Sequence, residues 1–180
     1  MNTKFKLWLP LAGLLLGPAG YAATMVEVTL VDKLDEPRGF CFDLTGVGAE
    51  AQPENGLQTV SCSSAQGQLA GDQAFDGDLI PEGTFRLIEH DVCMTLTGTS
   101  AGSSLALEPC DGGELQQFEH RANGRIVAAA APGNCVTAGE GPSQQGQSGD
   151  PVNLIRDLTL QVCDGSRNAR QQWRLRETAD

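Results

Sequence analysis

Ser100 stands in Gly98-Thr99-Ser100-Ala101-Gly102, the spacing that places a serine nucleophile on a tight strand-to-helix turn in hydrolases. That chemistry needs a helix after the serine and an alternating order of strands and helices. Neither pattern follows here, so the segment reads as a Gly/Ser/Thr turn. His90 and His120 are the only histidines, and neither has a Cys or His at zinc-ligand spacing. They read as surface or turn residues, and no metal or other cofactor is expected. Carboxylate pairs such as Asp32 with Asp35 and Glu36, or Asp76 with Asp78, are common in so acidic a chain. Glycosidic hydrolysis needs two carboxyls about 5 to 9.5 Å apart across a cleft, and abundance alone selects no such pair. The residues point away from catalysis, and a non-enzymatic protein is expected.

The elements that hold these residues are short strands and turns. Aromatic residues make up 5% of the chain and glycines number 22. No long segment carries apolar residues at i, i+3, i+4 and i+7, and residues 128–131 are too few for a helix. The first residues carry Lys4 and Lys6, an apolar stretch from Leu7 to Leu16, and the small-residue run Gly20-Tyr21-Ala22-Ala23. This pattern is that of a secretory signal peptide over residues 1–22, too short to span a bilayer. A secreted or periplasmic protein without a membrane span is expected. Loss of the leader removes two Lys and no acid, which moves the formal net charge from −11 to −13. Such a chain is repelled by phosphate backbones and anionic lipid surfaces, so nucleic acid is excluded as a partner. The roughly 158 remaining residues suit one domain, 23–180.

Six cysteines follow the leader, an even number in an exported chain, which favours three disulfides. Fifteen pairings are possible. Cys41 with Cys62, Cys93 with Cys110 and Cys135 with Cys163 each close one local loop, and that sequential pairing is the expected one. Each second Cys is followed by a Gln-x-aromatic triplet: Gln73-Ala74-Phe75, Gln116-Gln117-Phe118 and Gln171-Gln172-Trp173. The later two copies also share Leu107-Glu108-Pro109-Cys110-Asp111-Gly112 and Leu160-Gln161-Val162-Cys163-Asp164-Gly165. A period of about 45 residues marks units that bury their apolar faces only against each other. The repeats are expected at about 25–78, 79–122 and 123–180. Three units of four short strands suggest an all-β β-trefoil, a twelve-stranded barrel with a hairpin cap.

In these triplets and disulfides the chain resembles the ricin B-type lectin family over nearly all of its mature length. The resemblance implies that Phe75, Phe118 and Trp173 enter a shared core and that the triplet glutamines tie turns. It also implies a sugar pocket built on the Asp of a Cys-x-Asp triplet, an aromatic two residues before the second Cys, and polar residues near the triplet Gln. Cys41-Phe42-Asp43 keeps the carboxylate, whereas Cys93-Met94-Thr95 and Cys135-Val136-Thr137 replace it with Thr. The stacking position is Val60 in the first copy, and Glu108 and Gln161 in the others. One weak carbohydrate site is therefore expected, formed by Asp43, Gln58, Asp72 and Gln73, with Phe42 or loop contacts supplying the missing apolar face. Asp43 reads equally as an Asx-turn carboxylate after Cys41.

Two insertions set the copies apart. The first copy lengthens the stretch between Cys62 and Gln73. The third carries a Gly/Gln/Ser/Pro tract over residues 139–151, read as a mobile surface loop with nothing to bury. The expected function is that of a secreted monomeric lectin-like protein whose partners are glycans bearing a hexose or hexosamine. The rival is a degenerate trefoil that binds no sugar and serves as a structural or targeting subunit beside a toxin or enzyme partner. A trefoil protease inhibitor needs a presented basic or apolar residue that the third-copy loop lacks.

Overall fold

The computed structural model describes residues 23–67 and 69–177. The expected leader, residues 1–22, lies outside the described residues. Among the described residues, thirteen strands form one curled antiparallel sheet. They are β1 (Met25–Leu30), β2 (Phe40–Leu44), β3 (Leu57–Ser61), β4 (Phe75–Asp76), β5 (Arg86–Leu87), β6 (Val92–Leu96), β7 (Leu105–Pro109), β8 (Phe118–His120), β9 (Ile126–Ala128), β10 (Asn134–Ala138), β11 (Gln144–Gln145), β12 (Leu154–Val162) and β13 (Trp173–Glu177).

The fold is a β-trefoil. The twelve repeat strands divide in two rather than forming a twelve-stranded barrel. The barrel proper is the ring β1, β4, β5, β8, β9 and β13. Five residue pairs from Val26–Glu177 to Leu30–Trp173 join its two ends. The Phe118 amide donates to the Gly83 carbonyl at 2.9 Å and the Trp173 amide to Gly124 at 2.7 Å, linking the remaining joints. The hairpins β2–β3, β6–β7 and β10–β12 cover the barrel. A strand of two or three residues cannot hide one face alone, so each unit depends on the next.

The core lies where ring and hairpins meet. Phe75, Phe118 and Trp173 are all buried, as the triplets predict. Phe42 packs edge-on against Trp173 with centroids 4.6 Å apart and against Phe75 at 6.1 Å. The Trp173 indole N–H donates to the Val136 carbonyl at 2.9 Å, so the largest core side chain leaves no orphan donor. The three disulfides pair as expected, Cys41–Cys62, Cys93–Cys110 and Cys135–Cys163. Closing such loops contributes about 3 kcal/mol each by restricting the unfolded chain.

The third unit departs from symmetry. β12 pairs with β10 over residues 158–162, and its first half extends across to β3, setting Ile155 opposite Val60 and Asp157 opposite Gln58. The tract over 139–151 is thereby anchored rather than free. β11 pairs back onto Ile155 and Leu154. Asp35 accepts from the Ser143 amide and hydroxyl at 2.9 Å each and from Arg156 at 2.5 Å. Arg38 donates to the carbonyls of Pro151 and Val152 at 2.9 and 2.8 Å.

Candidate functional site

Each triplet glutamine ends a short helical turn: Gly71–Gln73, Glu114–Gln116 and Asn168–Gln171. A turn ending there points the amide back under the hairpin of its own unit. In the second unit the Gln116 amide nitrogen donates to Thr95 Oγ1 and to the Pro109 carbonyl, both at 3.0 Å. Its oxygen accepts from the Asp111 amide at 2.9 Å. Gln171 repeats this with Thr137 Oγ1 at 3.0 Å, the Val162 carbonyl at 2.9 Å and the Asp164 amide at 3.0 Å. Both threonine hydroxyls pass their own proton to the carbonyl two residues earlier, at 2.9 Å from Thr95 to Cys93 and 2.8 Å from Thr137 to Cys135. The amide N–H groups and the threonine hydroxyl protons are all committed, and no donor is left for a ligand.

In the first unit the same amide meets a carboxylate. Gln73 Nε2 donates to Asp43 Oδ2 and to the Ser61 carbonyl, and Gln73 Oε1 accepts from the Ser63 amide at 2.8 Å. Asp43 is 6% exposed, and its Oδ1 makes no hydrogen bond among the described residues. The Asx-turn reading does not hold, because Asp43 sits inside β2 with Gln58 directly opposite on β3. That pairing puts the carboxylate and the Gln58 amide side by side on one face of the hairpin.

A cleft of about 90 Å³ opens there, lined by Asp43, Gln58, Val60 and Asp72 together with Gly146, Gln147, Ser148, Asn153 and Ile155. The site thus unites Asp43, Gln58 and Asp72, while Gln73, 2% exposed, supports Asp43 from beneath. Phe42 supplies no apolar face, since it is wholly buried under Trp173. Val60 and Ile155 provide the apolar wall instead. The third-unit wall was invisible in the local sequence pattern. Its only signal was the 28-residue separation of the third Cys pair, against 21 and 17 in the others.

Burial pushes the Asp43 carboxyl well above the ordinary carboxylate range, and the nearby Asp72 pushes it further, against the Gln73 hydrogen bond. Asp72 is raised too, mainly by burial, with Glu89 adding to the rise and His90 opposing it. Asp72 Oδ1 is buried without a partner. A wider depression of about 380 Å³ adjoins the cleft, shares Gly48 and Asp72 with it, and is bordered by Leu44, Gln52, Ala70, Glu89 and His90.

The wall is held by buried charge. Glu36 accepts from Arg38 at 2.7 Å and from the Ser61 hydroxyl at 2.5 Å, and Ser61 Oγ accepts from the Leu154 amide at 2.8 Å. Although burial opposes its charge, these bonds bring the Glu36 carboxyl down to about 2. Arg156, buried on β12, lies over the Phe40 ring at 5.1 Å. Elsewhere, a groove of about 440 Å³ along Ile80, Gln117, Phe118 and Leu175 is mostly apolar and offers fewer convergent polar groups. Ser100 lies in the turn between β6 and β7 with no helix after it, which leaves the nucleophile spacing without its structural setting.

The sequence profile for the ricin-type beta-trefoil lectin domain matches residues 33–154. No curated protein sequence matches the chain. Among solved structures, the agglutinin from Abrus precatorius superposes with a TM-score of 0.56 at 18% identity, over 89% of this chain and 51% of that one. This chain thus spans about half the length of the agglutinin. Cytolethal distending toxin from Actinobacillus actinomycetemcomitans gives 0.55 at 17% identity, over 87% and 92%. The β-trefoil lectin of the Vibrio vulnificus hemolysin/cytolysin, solved with N-acetyl-D-lactosamine bound, gives 0.51 at 17% identity, over 88% and 98%. At these identities the likeness is one of fold.

Proposed function

The chain belongs to the ricin-type β-trefoil lectin family, and from that premise we propose that it is a secreted, monomeric, non-enzymatic carbohydrate-binding protein with a single weak site in its first unit. One observation carries the proposal: of three equivalent positions, only Asp43 offers a cleft an acceptor oxygen that the fold has not already used, whereas Thr95 and Thr137 are internally satisfied. A sugar hydroxyl pair needs such an acceptor beside a donor, and the Gln58 amide stands in register with it. Asp72 borders the same cleft, and Gln73 sets the angle of Asp43. Val60 and Ile155 give the C–H face of a ring an aliphatic contact in place of aromatic stacking, which accounts for weak binding.

The test is glycan-array binding by the oxidised mature chain beside Asp43→Ala, with circular dichroism as the fold control. The expected result is binding by the wild type and a loss of roughly 10- to 100-fold in the variant, the size of a hydrogen bond to a charged group. The second reading, a targeting or structural subunit for a toxin or enzyme partner, is favoured by Val60 at the stacking position. An absence of glycan binding by the wild type would select it.

A further inference from the structure

The cleft contains two carboxyl groups and no cation. Asp43, 6% exposed, lines it with an unengaged Oδ1. Asp72 lines it too, and its Oδ1 is buried with no hydrogen-bond partner. No Lys, Arg or His is among the described residues of the cleft wall. The third-unit wall contributes amides, a hydroxyl and the Ile155 side chain, which cannot balance charge. On the far side of Asp72 stand Glu89, whose carboxylate packs on the Gly71 backbone, and His90. His90 carries at most one positive charge, against three carboxyls. A buried and a half-buried carboxylate side by side resist joint ionisation without a counter-charge, and an orphaned acceptor costs free energy until it is met.

We infer that the cleft selects a sugar bearing a free amino group, with its ammonium seated between Asp43 and Asp72. This rests on the reading of the cleft as the sugar site. An ammonium carries three N–H donors and one full charge, so it bonds the free Asp43 Oδ1 and offsets the charge of the neighbouring Asp72. A hydroxyl brings one proton and no charge. An N-acetyl group is neutral and brings a single N–H and no counter-charge into a cleft of about 90 Å³. That volume suits the amino-bearing edge of a ring, and the depression sharing Gly48 and Asp72 is wide enough for the remainder. The strongly acidic chain draws a cationic glycan toward it at low salt and disfavours sialic or uronic acids.

The test is titration calorimetry of the wild-type chain with methyl 2-amino-2-deoxy-hexosides in the gluco and galacto configurations. Their N-acetylated and 2-hydroxy counterparts are run at the same neutral pH, where most of the amine is charged and the raised Asp43 and Asp72 carboxyls are nearer ionisation. Binding of an amino sugar about tenfold or more tighter than both counterparts is expected, since a charge-assisted bond exceeds a neutral one by roughly that factor. Asp72→Asn should reduce the preference to about twofold. The ligand comparison uses the wild type, so it stands whether or not the variant folds. Equal or tighter binding of the acetylated or neutral sugars would overturn the inference and leave the lectin reading intact. No binding by any probe, together with a blank glycan array, would overturn both.

Discussion

The first unit and its two counterparts share one hydrogen-bonding scheme and differ in a single side chain at its centre. In the second and third units a glutamine amide donates to a threonine hydroxyl, which donates onward to the backbone. In the first, the same amide donates to Asp43, and one carboxylate oxygen remains. The threonine version is closed and structural. The aspartate version leaves a buried carboxyl oxygen unengaged, a cost to the fold that becomes useful only when something arrives to meet it. The first unit differs also in having a wall lent by the third, through the extended β12 and the Glu36–Arg38–Ser61 network beneath it.

Removing that wall's support should give the largest effect. Glu36→Gln is expected to destabilise the chain by about 3 kcal/mol in denaturant unfolding, in the range for breaking one side of a buried ion pair. It should weaken sugar binding in parallel, because Leu154 loses its anchor through Ser61. The sign with pH follows from the lowered carboxyl: Glu36 contributes fully above its ordinary 4.5 and loses that contribution as pH falls towards about 2. The wild type should therefore lose stability over that interval, and the variant should lose less.

Placing the first-unit chemistry in the second unit breaks the comparison from the other side. Thr95→Asp should cost roughly 2 kcal/mol at neutral pH, because it buries a charge where Thr95 is 5% exposed. It should not create a second sugar site, since β12 meets the β6–β7 hairpin only at its turn, through the Ser104–Thr159 bridge and the Leu160 bonds to Gly102 and Ser103, and does not run along it as it runs along β3. Glycan binding that doubled in stoichiometry would show that the carboxylate alone makes the site.

The reverse exchange, Asp43→Thr, should stabilise the empty protein by about 1 kcal/mol at neutral pH while abolishing binding. Asp43 holds its proton more tightly folded than unfolded, so stability falls as pH rises from its ordinary 3.8 towards the raised value. Asp72, Glu89 and His90 face the same region, and Asp72 adds a slope of the same sign. The variant should flatten this dependence in thermal melts across mildly acidic to neutral pH. Smallest of all, Glu108→Ala, at the exposed counterpart of Val60, should change stability by less than about 0.5 kcal/mol and leave binding unaltered.

Much of this was legible in the chain itself. The Gln-x-aromatic triplets and paired cysteines revealed three units, a trefoil and all three disulfides, because each signal is local to one unit. The contrast of Asp43 with Thr95 and Thr137 singled out the first unit for the same reason. Its neighbours were harder to read. Phe42 looked available to a ligand, yet alternation along β2 turns it into the core against Trp173. The tract over 139–151 looked unattached, yet Ser143, Pro151 and Val152 are held by Asp35 and Arg38, more than a hundred residues away. The sequence by itself determined which hairpin bears the carboxylate. Only the tertiary structure decided that Gln147, Ser148, Asn153 and Ile155 stand beside it, because closing β1 onto β13 and laying β12 against β3 set the third unit next to the first, and contacts across that joint leave no periodic trace in either segment.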